Sequence, residues 1–333
     1  MLYITTRNKF DTFTAHRANQ SDRSPDGGLY LPFRMPKMEK ADILALKEQS
    51  FGQRVANVLN LFFSTQFTAW DIEVIASKNP VKLMPMSHRI LVAETWHNLD
   101  WDFAMLEKRI AARICGYEDT DRKPTSWVGI AIRIAVLFGI YGELLNSEHL
   151  EHGKPVDIAV ATEDFETPMA AWYAREIGLP LGNIVCCHDN SCIWDLLHQG
   201  EVRTEHGLPE NLERLISGAL GIEECKRFCE IYEKGRLYMI DAEMLEKLRK
   251  GLYAAVVSSD RQMSLIPSVY RTNQYIMGPQ TVMAYGGLQD YRARTGENGL
   301  ALVLSDRSPI RDFDKVSSCM QLTEQELRRQ LGV

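Results

Sequence analysis

Residues 155–187, PVDIAVATEDFETPMAAWYAREIGLPLGNIVCC, decide the fold. The apolar run at 155–161 predicts a short buried strand, 168–177 predicts a helix that ends at Gly178, and 182–187 predicts a second buried strand. Buried strands that alternate with helices are typical of a parallel sheet with helices on both faces. The sequence therefore predicts an α/β fold built on a mainly parallel sheet.

Apolar spacing predicts further elements along the chain. Helices are predicted at 40–67, from 68 onward, and at 102–114, 127–146, 208–220, 222–232, 242–248 and 281–291, with a last one from Thr323, where Thr323 and Glu326 form a capping box. Strands are predicted at 2–6, 89–93 and 300–304, a loop at 80–85 and a polar surface connection at 115–126.

Composition is that of an ordinary globular chain. Of 333 residues, 45% are apolar and 25% are charged, which is enough for a buried core and excludes a disordered or collagen-like protein. The net charge of −6, without a dense run of lysine and arginine, argues against a nucleic-acid partner. Seven cysteines in a chain of this length indicate reduced thiols and not a disulfide framework.

Two further observations indicate a cytoplasmic protein without a membrane partner. The first residues contain no apolar stretch of the kind that directs secretion. The most apolar run, 127–142, is shorter than the ~20 residues that cross a bilayer, and Arg133 interrupts it. We therefore expect a core helix at this position.

Several stretches, taken in order, resemble one enzyme family. They are YITTR at 3–7, SPDGGLYLP at 24–32, IGLP at 177–180, Asn190 with the helix after it, PENLER at 209–214, and the C-terminal strand with Pro309. The set is similar to threonine synthase, a pyridoxal-phosphate enzyme of the tryptophan-synthase-β fold type (fold type II). The resemblance implies the large domain of that fold type, with an N-terminal region over 1–100 and an α/β domain over 101–333.

The position of the cofactor lysine differs from the family pattern. In the family, a lysine followed by Asp-Phe-Ala forms an imine with the cofactor aldehyde. Residues 99–105 of this chain are LDWDFAM, so Trp101 stands at the lysine position with Asp102 beside it. Indole has no primary amine and cannot form an imine. The nearest alternative amine is Lys108, about two helical turns further along.

The loop that binds the cofactor phosphate differs as well. The family has a Gly-Asn-Phe-Gly-Asn turn there, because glycines let backbone N–H groups approach a phosphate at a helix N-terminus. Residues 163–167 are EDFET, so carboxylates at Glu163, Asp164 and Glu166 would repel the phosphate, although they also suit a helix cap. The resemblance leaves three candidate cofactor-binding residues, which are Phe165, Thr167 and Asn190.

A third difference is one of length. The family has a small mobile domain after the lysine helix, which carries a Ser-Gly-Asp-Thr-Gly turn and closes over the substrate. Only the connection 115–126 is present at that point, and no such turn occurs in the sequence. We therefore expect the small domain to be truncated and the lid that excludes water to be missing.

Cysteines offer a second chemistry. Three cysteines and His188 lie within 186–192, at the end of a predicted strand, where open α/β sheets bind ligands. Cys225 and Cys229 share one face of a predicted helix. A structural zinc site usually combines a C-x2-4-C pair with a second such pair. The spacings within 186–192 are poor for zinc, so we expect buried cysteines and no metal. A cysteine nucleophile with His188 as its base stays an alternative.

An aromatic and acidic cluster marks the place where the active site would open. Its members are Trp96, His97, Asp100, Trp101 and Asp102. The preferred interpretation is that tryptophans fill the former cofactor site. The other interpretation is a remodelled pocket that binds a cation through aromatic faces and carboxylates.

These differences predict a threonine synthase-like pseudoenzyme without a cofactor, which binds a small molecule or a protein. The alternative is a divergent pyridoxal-phosphate lyase that acts on an O-phosphohomoserine-like amino acid through a displaced lysine. A metal-dependent or cysteine-based hydrolase at 186–192 is a third hypothesis. A homodimer could cover apolar surface that loss of the lid exposes.

Overall fold

The computed structural model describes residues 1–76, 81–96, 103–116, 125–147, 149–150, 154–162, 165–203 and 209–332. The strands are β1 Leu2–Thr5, β2 Phe13–Thr14, β3 Tyr30–Pro32, β4 Lys82–Met86, β5 Ile90–Glu94, β6 Val156–Ala161, β7 Leu181–His188, β8 Glu201–Val202, β9 Tyr238–Met239, β10 Leu252–Val256 and β11 Ala301–Ser305. The helices are α1 Ala15–Gln20, α2 Lys40–Ala45, α3 Phe51–Phe62, α4 Ala69–Ala76, α5 Phe103–Cys115, α6 Trp127–Asn146, α7 Glu166–Ile177, α8 Cys192–Trp194, α9 Leu212–Leu220, α10 Ile222–Glu233, α11 Ala242–Leu248, α12 Ser259–Asn273, α13 Pro279–Thr295, α14 Phe313–Met320 and α15 Glu324–Leu331.

A six-stranded sheet forms the centre of the protein, in the order β10-β7-β6-β11-β5-β4. Its neighbouring strands are parallel except for β4 and β5, which pair antiparallel. The predicted α/β fold with a mainly parallel sheet is confirmed. The division of the chain near residue 100 stays a prediction. β4 and β5 precede that point and share the sheet with later strands.

Alternate residues of the strands face two separate apolar cores. Ile158 and Ile184 belong to the larger core, which also contains residues of α3, α6 and α7. Their neighbours Ala159 and Val185 belong to the second core, with residues of α12 and α13. Successive side chains of a strand point to opposite faces, so helices cover both faces of the sheet, as the sequence predicts.

The helix α6 lies inside the larger core. It is 20 residues long and apolar enough to cross a membrane, and 89% of its most apolar stretch is buried inside the protein. The expected core helix is confirmed, but the argument from a short apolar run was wrong. Burial of α6 against α3, α5 and α7, and not its length, marks it as a core helix.

Several regions differ from the sequence prediction. The loop predicted at 80–85 was wrong, because this region contains β4, an edge strand that tolerates Pro85. The strand β10 and the helix α12 were not predicted. β10 contains two alanines and one β-branched residue, which is poor strand composition, and Pro267 interrupts the pattern of α12. The single helix predicted at 40–67 is divided, because Ser50 caps a new helix, α3.

The half-buried Arg7 and the buried Arg214 fasten the N-terminal sheet of β1, β2 and β3 to α9. Arg7 donates to Glu213 at 3.0 Å and 3.3 Å. Arg214 donates to the carbonyl oxygens of Tyr30 at 3.0 Å and Thr125 at 2.7 Å, and its burial lowers its pKa to about 10. Arg7 and Tyr30 belong to the stretches 3–7 and 24–32, and their partners on α9 belong to the stretch 209–214. The stretches that resemble the family in sequence are therefore in contact in the folded chain.

Another buried arginine joins α3 to α6. Arg54 donates to the carbonyl oxygen of Leu46 at 2.7 Å and forms an ion pair with Glu143. Gly142 lies against the Arg54 side chain, and a Cβ atom at this position would overlap the guanidinium group. The close approach of α3 and α6 therefore requires glycine at 142.

Gly142→Ala should lower the free energy of unfolding by about 1–2 kcal/mol, because overlap with Arg54 outweighs the better helix propensity of alanine. Urea denaturation measures the change. Gly299→Ala is the control, since Gly299 has open space around it, and it should alter stability by less than about 0.5 kcal/mol. Equal effects of the two substitutions would contradict the close contact.

Candidate functional site

The carboxyl ends of β6 and β11 lie beside the N-terminus of α7, in the region where open α/β sheets bind ligands. A cavity of about 140 Å³ lies there, which we call the inner cavity. Its wall includes Arg133, Phe165, Glu166, Thr167, Gln280 and Asp306. This cavity is the candidate site.

The guanidinium group of Arg133 lies between three carboxylates. Its Nε atom is 3.0 Å from Glu166 Oε2, its Nη1 atom is 3.5 Å from Asp306 Oδ2, and its Nη2 atom is 3.8 Å from Glu107 Oε2. The same group lies over the ring of Phe103, 4.4 Å from the centroid. We use the name Arg133 cluster for Arg133, Glu107, Glu166, Asp306 and Phe103. In this cluster the protein supplies both the cation and the groups that bind it.

The Arg133 cluster is largely shielded from water. The side chains of Glu166, Glu107 and Arg133 are 7%, 10% and 17% exposed, whereas Asp306, at 37%, lies nearer the surface. Burial alone would lower the pKa of Arg133, but the carboxylates, Glu166 first among them, raise it above its usual value. Arg133 therefore stays charged, and the cluster is a set of buried ion pairs.

Four elements bring the cluster together. The helix α5 supplies Phe103 and Glu107, and α6 supplies Arg133 from its second turn. Glu166 is the first residue of α7, and Asp306 follows the last residue of β11. A carboxylate in the first turn of a helix complements the positive end of the helix dipole. The N-terminus of α7 is therefore matched with an anion from its own chain.

Hydrogen-bonded side chains fill the space around Ser305, the last residue of β11. The indole Nε1 of Trp96 and the hydroxyl of Thr281 donate to Ser305 Oγ at 3.0 Å and 2.9 Å. At the end of β5, the Tyr275 hydroxyl donates to Glu94 at 2.5 Å, and burial raises the pKa of both groups. The buried Trp96 thus behaves as a space-filling residue.

The residues that the sequence singles out lie in several places. Phe165, Glu166 and Thr167 line the inner cavity. Asn190 lies in the turn after β7, where its Oδ1 atom accepts a hydrogen bond from Cys192 N–H at 3.1 Å. Six further residues that the sequence singles out lie outside the described residues, and they are His97, Asp100, Trp101, Asp102, Glu163 and Asp164.

Lys108, the alternative amine, is exposed on α5 and borders a second cavity of about 400 Å³, which we call the outer cavity. Arg133 and Asp306 line both cavities, so the two are neighbours. The outer cavity is also lined by Phe103, Met105, Gln280, Arg307 and Arg311. It is the larger of the two spaces at this edge of the sheet.

The cysteines at 186–192 are not activated. Cys186 and Cys192 are buried, and burial raises the pKa of Cys186 to about 12 and that of Cys192 to about 11. A nucleophilic cysteine needs the opposite shift. The Nδ1 atom of His188 accepts a hydrogen bond from Asn190 N–H at 3.0 Å. The arrangement gives no support to a cysteine-based hydrolase.

The sequence contains one signal for the Arg133 cluster. Arg133 is the single charged residue between Trp127 and Gly142 in an apolar helix, and a buried cation requires anionic partners. Glu107 and Asp306 belong to no motif, and they approach Arg133 only after α5, α6 and β11 pack together. Sequence reasoning therefore missed both.

Comparison with known sequences connects the chain to one family. The family model of the threonine synthase N terminus matches residues 2–79. Threonine synthase-like 1 from Homo sapiens is 24% identical over 176 residues, and threonine synthase-like 2 from Pongo abelii is 22% identical over 174 residues. Each match covers 48% of this chain, but only 24% of the first relative and 36% of the second, so the chain accounts for a minor part of their length.

Solved structures match over the whole chain. PLP-bound threonine synthase from Brucella melitensis has a TM-score of 0.82 at 16% identity, with 100% of both chains covered. Threonine synthase from yeast has a TM-score of 0.82 at 14% identity, with 100% of this chain and 94% of that chain covered. The chain is threonine synthase-like in its N-terminal sequence and in its fold. The resemblance inferred from the sequence is thus confirmed at these two levels.

The inner cavity of this threonine synthase-like chain does not fit pyridoxal phosphate. The family resemblance would place the phosphate at the N-terminus of α7, where the helix dipole favours an anion. Glu166 already supplies that anion, and Arg133 supplies its counter-ion.

Arg133→Met should lower the free energy of unfolding by about 2–4 kcal/mol at pH 7, because it leaves buried carboxylates without a partner. Urea denaturation at pH 7 measures the loss. Arg261→Met is the control, since the Arg261–Asp290 pair is more exposed, at 36% and 28%, and should contribute no more than about 1 kcal/mol. A similar small loss in both variants would contradict a buried cluster.

Proposed function

We propose that this threonine synthase-like chain has lost pyridoxal-phosphate chemistry and acts by binding a small molecule or a protein. The observation that carries the proposal is the contact of 3.0 Å between Arg133 Nε and Glu166 Oε2. This ion pair lies at the helix N-terminus that a cofactor phosphate would need. Trp101 at the expected lysine position supports the same conclusion.

Admission of a phosphate at this position would be unfavourable. The phosphate would have to take the place of the Glu166 carboxylate beside Arg133, and Glu166 would remain as a buried carboxylate beside a second anion. Removal of one partner of a buried ion pair costs about 3–5 kcal/mol, and repulsion between the two anions adds to that cost. The charge of Arg133 is not available to the phosphate either, because three carboxylates already surround it.

The outer cavity is the place where a small molecule would bind. Its volume of about 400 Å³ falls within the roughly 300–1,000 Å³ of small-molecule sites. Phe103 and Met105 give it an apolar wall, and Lys108 and Gln280 add polar groups. This combination suits a small, partly polar ligand, and no nucleic acid is expected to bind.

A divergent pyridoxal-phosphate lyase, with an O-phosphohomoserine-like substrate, is the second candidate function. Lys108 favours it, because this residue brings a primary amine to the border of the outer cavity, and only a primary amine can form the imine. The cofactor would then have to bind in the outer cavity, away from the N-terminus of α7. In that case activity would depend on Lys108.

Titration with pyridoxal phosphate distinguishes the two functions. Imine formation is followed by visible absorbance, and borohydride then fixes any imine for peptide mapping. We expect no saturable imine, and only scattered labelling of surface lysines that is equal in the wild type and in Lys108→Ala. Saturable labelling of one peptide would overturn the proposal. If that peptide contains Lys108, the labelling should vanish in Lys108→Ala and persist in the control Lys40→Ala, which alters an exposed lysine of α2.

We also propose a cytoplasmic location. All seven cysteines are free thiols, and this state is typical of proteins in a reducing compartment. We propose as well that the partner of the chain is a small molecule, another protein or a second copy of the chain.

A further inference from the structure

A group of metal-binding side chains lies where α9 meets α10. The carboxylate of Glu213 and the sulfur atoms of Cys225 and Cys229 are all within 4.8 Å of one another. Glu213 belongs to α9, and the two cysteines lie one turn apart on α10. All three side chains are buried, and no other group of this kind is found among the described residues.

The donor set suits a thiophilic ion of the zinc class. Zn²⁺ binds cysteine sulfur at about 2.3 Å and carboxylate oxygen at about 2.0–2.2 Å, usually in tetrahedral geometry. Ligand atoms of one such shell lie within about 4 Å of each other, so atoms already within 4.8 Å need only small side-chain rotations. Calcium and magnesium take oxygen ligands, and the two thiols therefore argue against them.

A separate cavity gives an ion access to these side chains. It has a volume of about 390 Å³ and is bordered by Glu213 and Cys229, together with Phe228 and Tyr232. Zinc sites with three protein ligands keep their fourth position for water or another small ligand. Here the fourth position would face this cavity.

The surrounding charges are compatible with a bound dication. Arg7 and Arg23 contact Glu213. They would repel a Zn²⁺ ion if its binding raised the net charge of the cluster by two. Zinc binding, however, converts two neutral thiols to thiolates and releases two protons, so the net charge of the cluster does not change. Glu210 and Glu233, which pair with Arg23 and Arg7, add negative charge at the entrance.

One carboxylate oxygen of Glu213 has weaker contacts than the other. Arg7 Nε donates to Oε1 at 3.0 Å, whereas Oε2 accepts from Arg7 Nη2 at 3.3 Å and from Arg23 Nη1 at 3.2 Å. Arg23 would keep its bonds to the Gly27 carbonyl oxygen at 2.7 Å and to Glu210 at 2.9 Å if it released Glu213. Oε2 is therefore the atom that can turn to a metal.

We propose that Glu213, Cys225 and Cys229 form a Zn²⁺ site with three protein ligands and a fourth position open to the adjoining cavity. The ion would join α9 to α10 and, through Glu213, to the N-terminal segment that carries Arg7. This site is independent of the proposed function, because none of its three residues lines the inner or the outer cavity.

Zinc titration of the full chain tests the site. The protein is stripped with a chelator and titrated with Zn²⁺ in competition with a chromophoric chelator. We expect one ion per chain and at least about a hundredfold weaker binding in Cys225→Ser and in Cys229→Ser, since loss of a ligand should cost no less than the loss of an outer-shell partner. Cys319→Ser is the control, because Cys319 belongs to α14 and lies outside the cluster.

A matched pair of variants tests the carboxylate. Glu213→Gln removes the proposed ligand, and Glu210→Gln removes a charge from the wall of the same cavity without touching the cluster. Only the first should weaken zinc binding, by about tenfold or more. Equal losses would show that the acidic surroundings and not a bond to Glu213 attract the ion.

Circular dichroism shows whether each variant folds. Where a serine variant does not fold, zinc X-ray absorption of the loaded wild type decides, and it should show two sulfur ligands at about 2.3 Å. The proposal is overturned by the absence of stoichiometric zinc, by a zinc site without sulfur, or by unchanged affinity in both folded serine variants.

Discussion

The ion pairs of Arg133 hold four elements together at the edge of the sheet where ligands of such folds bind. α6 is otherwise apolar along its buried face, so Arg133 can lie inside the protein only because Glu107, Glu166 and Asp306 arrive from α5, α7 and the end of β11. The converse also applies, since these carboxylates would be costly to bury without the cation. The position of each element at this edge therefore depends on the same guanidinium group.

This dependence explains how the chain retains the fold and still differs at the site. Stretches that resemble the family in sequence, at 3–7, 24–32 and 209–214, provide the contacts of Arg7 with Glu213 and of Arg214 with Tyr30, which fasten the N-terminal sheet. These contacts are structural. At the N-terminus of α7, in contrast, Glu166 supplies the anion that the helix dipole favours. Fold and function are thus separable here, because function depends on the site.

Much of the fold could be predicted from apolar spacing, and the site could not. Residues 155–187 gave strand, helix and strand correctly because buried parallel strands and helices have distinct patterns. β10 was missed because its five residues include two alanines and only one β-branched residue, which is poor strand composition. The partners of Arg133 are far apart in sequence and meet only through packing. The same holds for Glu213, whose approach to Cys225 and Cys229 no spacing rule indicates.

The most direct test of the account is a crystal structure of the protein grown with saturating pyridoxal phosphate. The account predicts that the guanidinium group of Arg133 remains against Glu166 and over the ring of Phe103, and that the inner cavity holds no cofactor. A phosphate bound at the N-terminus of α7, with Arg133 turned away from Glu166, would contradict it.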